Sequence, residues 1–290
     1  MSQSFSLFQG RTAVLATMHR KETAIAPLLQ QSLGLQIIVP EDFDTDRFGT
    51  FTREVKRSGD QLEAARQKAK AAIEQTGVSL AIASEGTFGP HPAMPFLPCN
   101  REIVVLIDPE QGLELVGQAL STETNFSHQR VSSLEEAEAF ATKVGFPAHG
   151  LVVIANPNRD LAEIDKSQMR KGILTESQLQ SAILWALEQA ETVHLETDMR
   201  AMYNPTRMQV IAQATQDLIR LVGQTCPECN WPGFQAVEHQ PGLPCELCGS
   251  PTPLTLNAIY RCQKCHFEKI SQFPDGNRSA DAAQCMYCNP

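Results

Sequence analysis

Short apolar runs alternate with longer stretches of helical periodicity along residues 11–222. The runs at 11–17 and 102–107 are rich in β-branched residues, which is typical of buried strands. In the stretch 61–74, apolar residues recur every three or four positions, which predicts an amphipathic helix. Because such strands and helices alternate, the sequence predicts an α/β domain over residues 1–222. Its sheet should be mainly parallel or mixed, and flanked by helices.

The same pattern predicts the remaining elements, beginning with a strand–helix–strand unit whose helix ends near Gly34. Residues 42–60 show no clean periodicity, so we expect a long loop there. Three later helices should begin at capping signals in the sequence. The capping signals are Ser133 with Glu136, Thr175 with Gln178, and Asn204 before Pro205, and the further strands are predicted at 36–39, 80–83, 113–116, 151–155 and 193–196.

The C-terminal segment 223–290 carries four Cys-x-x-Cys pairs, and we predict that it forms a separate zinc-ribbon domain. Two cysteines at this spacing can direct both sulfurs at one ion, and two pairs complete a tetrahedral shell. Eight cysteines therefore predict two structural Zn²⁺ ions. The predicted ligands are Cys226, Cys229, Cys245, Cys248, Cys262, Cys265, Cys285 and Cys288.

The spacing leaves open which cysteine pairs share an ion. A sequential arrangement joins the first two pairs and the last two, whereas a nested arrangement joins the middle two pairs inside the outer two. Gly249 directly after Cys248 suits a zinc knuckle, and the apolar segment 254–260 predicts a strand that enters the next knuckle. These two features favour the nested arrangement.

Disulfide bonds are the alternative use of these cysteines, and they require an oxidising compartment. The N-terminal residues lack the basic and apolar regions of a secretion signal, so we expect a cytoplasmic protein with metal-bound thiolates. The sequence has no run of about 18 apolar residues that would predict a membrane span.

The charge balance bears on the partners of the protein. Acidic residues outnumber basic residues by 33 to 24, which gives a net charge of −9 and argues against a general polyanion or membrane binder. Residues 225–290 contain four basic and six acidic residues, the wrong balance for neutralising nucleic-acid phosphates. A protein partner is the alternative ligand of the zinc-ribbon domain.

Three polar stretches follow predicted strands of the α/β domain, where ligands of open sheets collect. The first contains Thr17, His19, Arg20 and Lys21 before a predicted helix, an arrangement that suits a phosphate group. Its alternative is a solvated loop with incidental charge.

The second stretch has Glu85 in a glycine-bearing turn, with His91 close by in the sequence. A carboxylate in such a turn can hold Mg²⁺ or act as a base, or it can simply cap backbone amides. The third stretch contains Asp198 and Arg200, followed by Arg207, as further candidate site residues. The alternative to a site is a simple ion pair between Asp198 and Arg200.

The whole chain resembles an uncharacterised bacterial family. The resemblance rests on the motif Ala-Ser-Glu-Gly-Thr-Phe-Gly-Pro-His-Pro at 83–92, on Glu-Thr-Asp-Met-Arg at 196–200, and on zinc ribbons that end in Tyr-Cys-Asn-Pro. It implies an α/β domain followed by paired ribbons, and no established activity.

Residues 12–90 are also similar to the nucleoside triphosphate pyrophosphatases of the inosine triphosphatase and Maf group. The matching motifs are Val-Leu-Ala-Thr-Met-His-Arg-Lys-Glu from 14, Leu-Glu-Ala-Ala-Arg-Gln-Lys-Ala from 62, and Ala-Ser-Glu-Gly from 83. This resemblance implies Mg²⁺-assisted attack of water on a phosphoanhydride. It assigns phosphate contacts to Thr17, His19, Lys21 and Lys68, and the metal to Glu63 and Glu85.

Together these observations predict a Mg²⁺-dependent hydrolase or a binder of a nucleotide or another phosphorylated small molecule. A non-enzymatic protein–protein interaction module scaffolded by zinc is the first alternative. Nucleic-acid binding is the second.

Overall fold

The structure is a computed structural model that describes residues 6–45, 48, 59–155 and 166–290. Much of the predicted loop at 42–60 therefore lies outside the described residues. The chain divides into two compact bodies, one of residues Gln9–Ile219 and one of Arg220–Pro290 with residues 6–8. Among the helices in the described part of the chain, none has the length and apolar character that would let it cross a membrane.

The first body contains a mixed five-stranded sheet, as the alternating pattern predicts. Its order is β2-β1-β3-β4-β5, with β1 parallel to β2 and β3 and with antiparallel pairing from β3 to β5. Parallel neighbours need a crossover, whereas β3 to β5 are joined by short turns that reverse the chain. The strands are β1 (Thr12–Ala16), β2 (Gln36–Ile38), β3 (Ala81–Pro90), β4 (Pro98–Asp108) and β5 (Leu113–Ser121).

Two helices supply the crossovers of this sheet. Helix α1 (Glu22–Leu33) buries Ile25, Leu29 and Leu33 and ends at Gly34, whose positive φ of 67° suits glycine. Helix α2 (Gln61–Thr76) has the periodicity that the sequence predicts, and Asp60 caps its N-terminus. Its small buried side chains pack against the sheet face that carries Ile103, Val105 and Ile107; they are Ala65, Ala69 and Ala72.

A second, antiparallel sheet was not expected from the sequence, which predicted one sheet. Its order is β6-β9-β7-β8, and the core beneath it includes Val153, Leu195, Phe140 and Ile183. Strands β6 and β8 escape prediction because their polar residues interrupt the apolar pattern. The elements are β6 (His128–Val131), α3 (Leu134–Lys143), β7 (Leu151–Ile154), β8 (Met169–Ile173), α4 (Glu176–Leu187), β9 (Val193–Thr197) and α5 (Pro205–Gly223).

The second body contains a small antiparallel sheet of order β10-β11-β12. Phe234 packs against Tyr260 and Phe267, with ring centroids 5.8 and 5.9 Å apart. A sheet this small buries little apolar surface, so metal sites are the expected source of further stability. The strands are β10 (Gln235–Pro241), β11 (Thr255–Arg261) and β12 (Glu268–Gln272).

Candidate functional site

The eight paired cysteines form two groups of four in the second body. Within each group the four sulfur atoms lie within 4.8 Å of one another. The Sγ–Sγ contacts include 3.6 Å for Cys229–Cys262 and 3.6 Å for Cys248–Cys285. A tetrahedral ion with bonds of about 2.3 Å would place its sulfurs about 3.8 Å apart. Both groups therefore could hold Zn²⁺, and all eight cysteines are free thiols.

The cysteine pairs are interleaved, so neither the sequential nor the nested arrangement is correct. The first and third pairs form one group, and the second and fourth pairs form the other. The strand order explains this result. In the antiparallel pairing, Gln235 at the start of β10 faces Arg261 at the end of β11, which brings together the pairs that flank these residues. The end of β12 lies at the opposite end of the sheet, where Gln272 faces Asn257.

All four pairs share one backbone turn. In each, the amide that follows the second cysteine donates a hydrogen bond to the carbonyl of the first cysteine. Three of these turns place the following residue at positive φ, including Gly249 at 74°. His266 occupies such a turn position and is exposed, outside both cysteine groups. The bonds are Asn230 to Cys226 at 2.9 Å, Gly249 to Cys245 at 2.9 Å, His266 to Cys262 at 3.2 Å and Asn289 to Cys285 at 2.9 Å.

In the first body, the turn from β1 to α1 borders a cleft of about 480 Å³, which we call the Thr17 cleft. Thr17 is only 4% exposed, and its Oγ1 atom has no hydrogen-bond partner among the described residues. Arg20 is exposed and has a positive φ of 56°, and His19 is half-buried beside it. The cleft is lined by Thr17, Met18, Arg20, Glu22, Val39, Pro40, Asp42, Phe43 and Asp44.

Lys21 belongs to the same turn but extends into the protein. Its Nζ atom donates hydrogen bonds to the carbonyl oxygen of Ser84 at 3.2 Å and to its Oγ atom at 3.1 Å. Lys21 is also the N-cap residue of α1, and its side chain makes no capping bond there. The sequence-predicted group of Thr17, His19, Arg20 and Lys21 therefore divides into a cleft-lining part and a buried amine.

Glu85 lies inside β3, because this strand continues to Pro90 and the predicted turn at 84–87 does not form. Register pairing with β4 as far as Pro98 stabilises the extension. The Glu85 carboxylate faces α2 and forms a buried ion pair with Lys68, with both residues at most 6% exposed. The structure thus brings together these two predicted site residues, and the Glu85 carboxylate is ion-paired with the Lys68 amine.

Glu102 and Arg207 form a second buried ion pair, on the opposite face of the sheet. Their Nε–Oε1 distance is 2.8 Å and both side chains are 0% exposed. Gly86 faces Glu102 across the strands, and a Cβ atom there would lie 2.2 Å from the Glu102 carboxylate. Glycine at this position therefore leaves room for the pair.

Sequence reasoning missed Glu102 and its neighbour Asn100. The sequence signal that could have found them is their separation by two positions. In a strand, this separation places both polar side chains on the same face as the apolar residues Val104 and Leu106. Asn100 is 1% exposed, and its Oδ1 atom has no hydrogen-bond partner in the described part of the chain.

Two predicted site residues lie apart from this region. Glu63 is 44% exposed on α2, and its carboxylate accepts a hydrogen bond from Gln67. His91 lies in the β3–β4 turn, six residues beyond Glu85, which is about 20 Å along an extended strand. Its Nδ1 atom accepts hydrogen bonds from the amides of Ala93 and Met94 at 3.1 and 3.2 Å.

Asp198 and Arg200 form the ion pair that was weighed as the alternative to a site. Two Arg200 nitrogens reach the Asp198 carboxylate at 3.0 and 2.6 Å, and the amide of Gly172 donates to it at 3.1 Å. Arg207 belongs to the Glu102 pair, and its guanidinium also donates to the carbonyl of Met199.

The pKa of Lys21 reflects this arrangement of charges. Burial and then the Arg207 guanidinium lower the pKa of Lys21 from 10.5 to about 7, and Lys68 lowers it further. Glu102 and Glu85 act in the opposite direction. Three basic side chains and two carboxylates therefore act on one another in a buried charge cluster, defined here as Lys21, Lys68, Glu85, Glu102 and Arg207.

Comparison with known proteins identifies a family of unknown function. The family model described as "Domain of unknown function (DUF6671)" matches residues 68–290. No curated protein matches the chain. The crystal structure of protein VC0702 from Vibrio cholerae is similar at 10% identity, covering 72% of this chain and 93% of that chain. The TM-score of this similarity is 0.30.

Proposed function

The chain belongs to the DUF6671 family of unknown function, and we propose that its α/β body binds a phosphorylated small molecule in the Thr17 cleft. The observation that carries this proposal is the Thr17 hydroxyl, which is buried at the cleft and has no partner among the described residues. A buried hydroxyl without a hydrogen bond is unfavourable, so a ligand oxygen that accepts its proton would satisfy it.

The surroundings of Thr17 support an anionic ligand group. Arg20 lines the same cleft, and so does Glu22, the first residue of α1, where the helix dipole favours negative charge. A phosphate group offers acceptors for the hydroxyl and the guanidinium together.

The proposal also includes binding of Mg²⁺ and hydrolysis of the ligand. Glu22, Asp42 and Asp44 also line the cleft, and a polyphosphate would meet them through a divalent cation. The resemblance assigns the metal to Glu63 and Glu85, but Glu85 is paired with Lys68. Water attack on a phosphoanhydride would therefore use carboxylates of the cleft, and a nucleotide is the substrate class that the resemblance indicates.

Replacing Thr17 by valine should abolish ligand binding without harming the fold, because the substitution removes a hydroxyl that has no partner. We expect the melting temperature of the zinc-loaded Thr17→Val protein to be unchanged or slightly higher. Inorganic phosphate and nucleoside triphosphates, each with and without Mg²⁺, should raise the melting temperature of the wild type only. A ligand at about 100 times its Kd adds about 2.7 kcal/mol, which a thermal-shift assay detects readily.

Thr215→Val is the matched control for this experiment. Thr215 is also fully buried, but its hydroxyl donates to the carbonyl of Ile211 at 2.9 Å, away from the cleft. This variant should lose some stability and keep the ligand-induced shift. Equal shifts in the wild type and in Thr17→Val would refute the proposed site.

A second candidate function, binding of a partner protein, is favoured by the apolar tips of one cysteine group. Leu247, Met286 and Tyr287 are 74%, 74% and 77% exposed, and each lies between the two cysteines of its pair. Exposed apolar groups clustered in this way are typical of interaction sites. Glu246 and four nearby thiolates add negative charge, so the complementary partner surface is apolar and basic.

Nucleic acid is a poorer partner for the same domain. Arg261 is paired with Glu268, and Lys264 lies over the Trp231 ring at 4.0 Å. Two of its four basic residues thus have partners within the domain.

The combined change Leu247→Asp and Met286→Asp should abolish capture of a partner by the immobilised, zinc-loaded protein. The added carboxylates would oppose insertion of the knuckle tips into an apolar surface. Partners retained by the wild type are identified by mass spectrometry and compared with those of Val237→Asp, a control at an apolar residue 54% exposed on β10. Identical partners from all three proteins would exclude these tips as the contact.

A further inference from the structure

The hydrogen bonds of the Lys21 amine match its neutral form. Its two bonds both go to Ser84, at 3.2 and 3.1 Å, and no carboxylate bonds it in the described residues. A neutral amine has two N–H groups and one lone pair, whereas an ammonium group needs a third acceptor. The two observed bonds therefore use both N–H groups and leave the lone pair available.

The charges around Lys21 also favour the neutral form of its amine. Arg207 and Lys68 are each paired with a carboxylate, so the two carboxylates of the buried charge cluster are already occupied. A third buried positive charge on Lys21 would be uncompensated, and burial makes this costly. Lysines in enzymes become nucleophiles under these two conditions, desolvation and neighbouring cations. In agreement, the pKa of Lys21 is lowered to about 7 by burial and by Arg207.

The amine lies behind the turn that borders the Thr17 cleft, because Lys21 follows the cleft residue Arg20 and is itself only 6% exposed. Ala16 and Ala83 are in register in the parallel pair of β1 and β3, and Thr17 and Ser84 directly follow them. Thr17 is the first residue beyond β1, so continuation of this register would place it beside Ser84, at the strand spacing of about 4.8 Å. Thr17 lines the cleft and its hydroxyl is buried, and the Ser84 hydroxyl accepts a hydrogen bond from the amine. A ligand group that extends from the cleft past Thr17 would therefore approach the Lys21 nitrogen.

We infer that Lys21 captures a carbonyl group of the ligand as an imine, which makes the ligand a phosphorylated aldehyde or ketone. The inference rests on the proposed phosphate site for the binding of the phosphate group. The nitrogen lone pair attacks the carbonyl carbon and forms a carbinolamine. The carbonyl oxygen then leaves as water with the two protons of the amine, and a C=N bond remains. No oxidant or reductant is required.

Borohydride trapping with pyridoxal 5′-phosphate as the phosphorylated aldehyde tests this inference on the full-length, zinc-loaded protein. The reduced adduct is located by peptide mass spectrometry, with exposed Lys70 on α2 as the internal standard. At pH 7 an amine of pKa about 7 is half unprotonated, roughly a thousandfold more than an ordinary lysine. We expect Lys21 to react at least about tenfold faster than Lys70 at this pH.

The pH profile gives a second readout. The free amine reacts, so the Lys21 rate should rise with pH and level off just above 7. The rate of an ordinary lysine continues to rise toward pH 10. Labelling of Lys21 no faster than Lys70, or a profile that still rises above pH 9, would overturn the inference.

Pyridoxal, which lacks the phosphate, separates this inference from the proposed function. If both proposals hold, pyridoxal phosphate labels Lys21 faster than pyridoxal does, inorganic phosphate competes, and Thr17→Val removes the difference. Equal labelling by the two aldehydes would keep the reactive amine and refute the phosphate site. A phosphate-dependent thermal shift without labelling of Lys21 would keep the phosphate site and refute the amine.

Discussion

A chain with serine at both Cys229 and Cys262 is expected to retain one of its two zinc ions. The two cysteines belong to the same group, so the second group of four thiolates stays intact. Serine at Cys229 and Cys285 should instead remove both ions, because one ligand is lost from each group. Native mass spectrometry of the purified proteins counts the bound metal directly.

These two double variants distinguish the interleaved arrangement from its rivals. A nested arrangement would retain one ion in the Cys229 and Cys285 variant, and a sequential arrangement would retain none in either. Structural zinc contributes about 10–16 kcal/mol of apparent binding free energy in small domains, so loss of both ions should unfold the second body. A chelator that removes the metal and leaves the far-UV circular dichroism unchanged would contradict this expectation.

Replacing Glu102 by glutamine is expected to destabilise the α/β body by about 3–5 kcal/mol, since it removes the carboxylate that compensates the buried Arg207 charge. Both side chains of this pair are 0% exposed, and arginine cannot release its proton to escape the penalty. Urea unfolding of the zinc-loaded protein, followed by far-UV circular dichroism, measures the loss of free energy.

Glu114→Gln is the matched control, because Glu114 pairs with Arg66 in the same body but both side chains are about one-third exposed. Exposed pairs contribute roughly 0–1 kcal/mol, so this change should be nearly silent. Replacing Glu102 and Arg207 together by leucine and methionine should recover part of the stability, because no buried charge then remains. Equal losses from Glu102→Gln and Glu114→Gln would show that burial does not govern the effect.

Local signals in the sequence were sufficient for most elements of the fold. The capping box at Thr175 forms with Gln178 as predicted, and α4 begins there. The Asp60–Gly77 segment folds as the predicted helix because its apolar spacing, its cap and its glycine stop all agree. The eight cysteines likewise come together in two groups of four, since their spacing alone specifies the turn that holds each pair.

Contacts between residues that are distant in sequence could not be inferred from such local signals. Ser84 and Glu85 resemble a turn by composition, and β3 continues through them because of its pairing with β4 and the buried partners Lys21 and Lys68, which are distant in sequence. The grouping of the cysteine pairs depends on which strand ends lie side by side, and this follows from strand order. The second sheet was missed for a related reason, because β6 and β8 are stabilised by neighbours distant in sequence.

The interleaving of the cysteine groups also sets an order of assembly during synthesis. A nascent chain that has emerged only as far as Cys248 carries two ligands of each shell and can complete neither. The first shell closes once Cys265 has emerged, and the loop it encloses contains the waiting pair of Cys245 and Cys248. The second shell closes only when Cys288 follows. Ions bound during synthesis would therefore fill the two groups in this order, and each would close a loop that contains half of the other group.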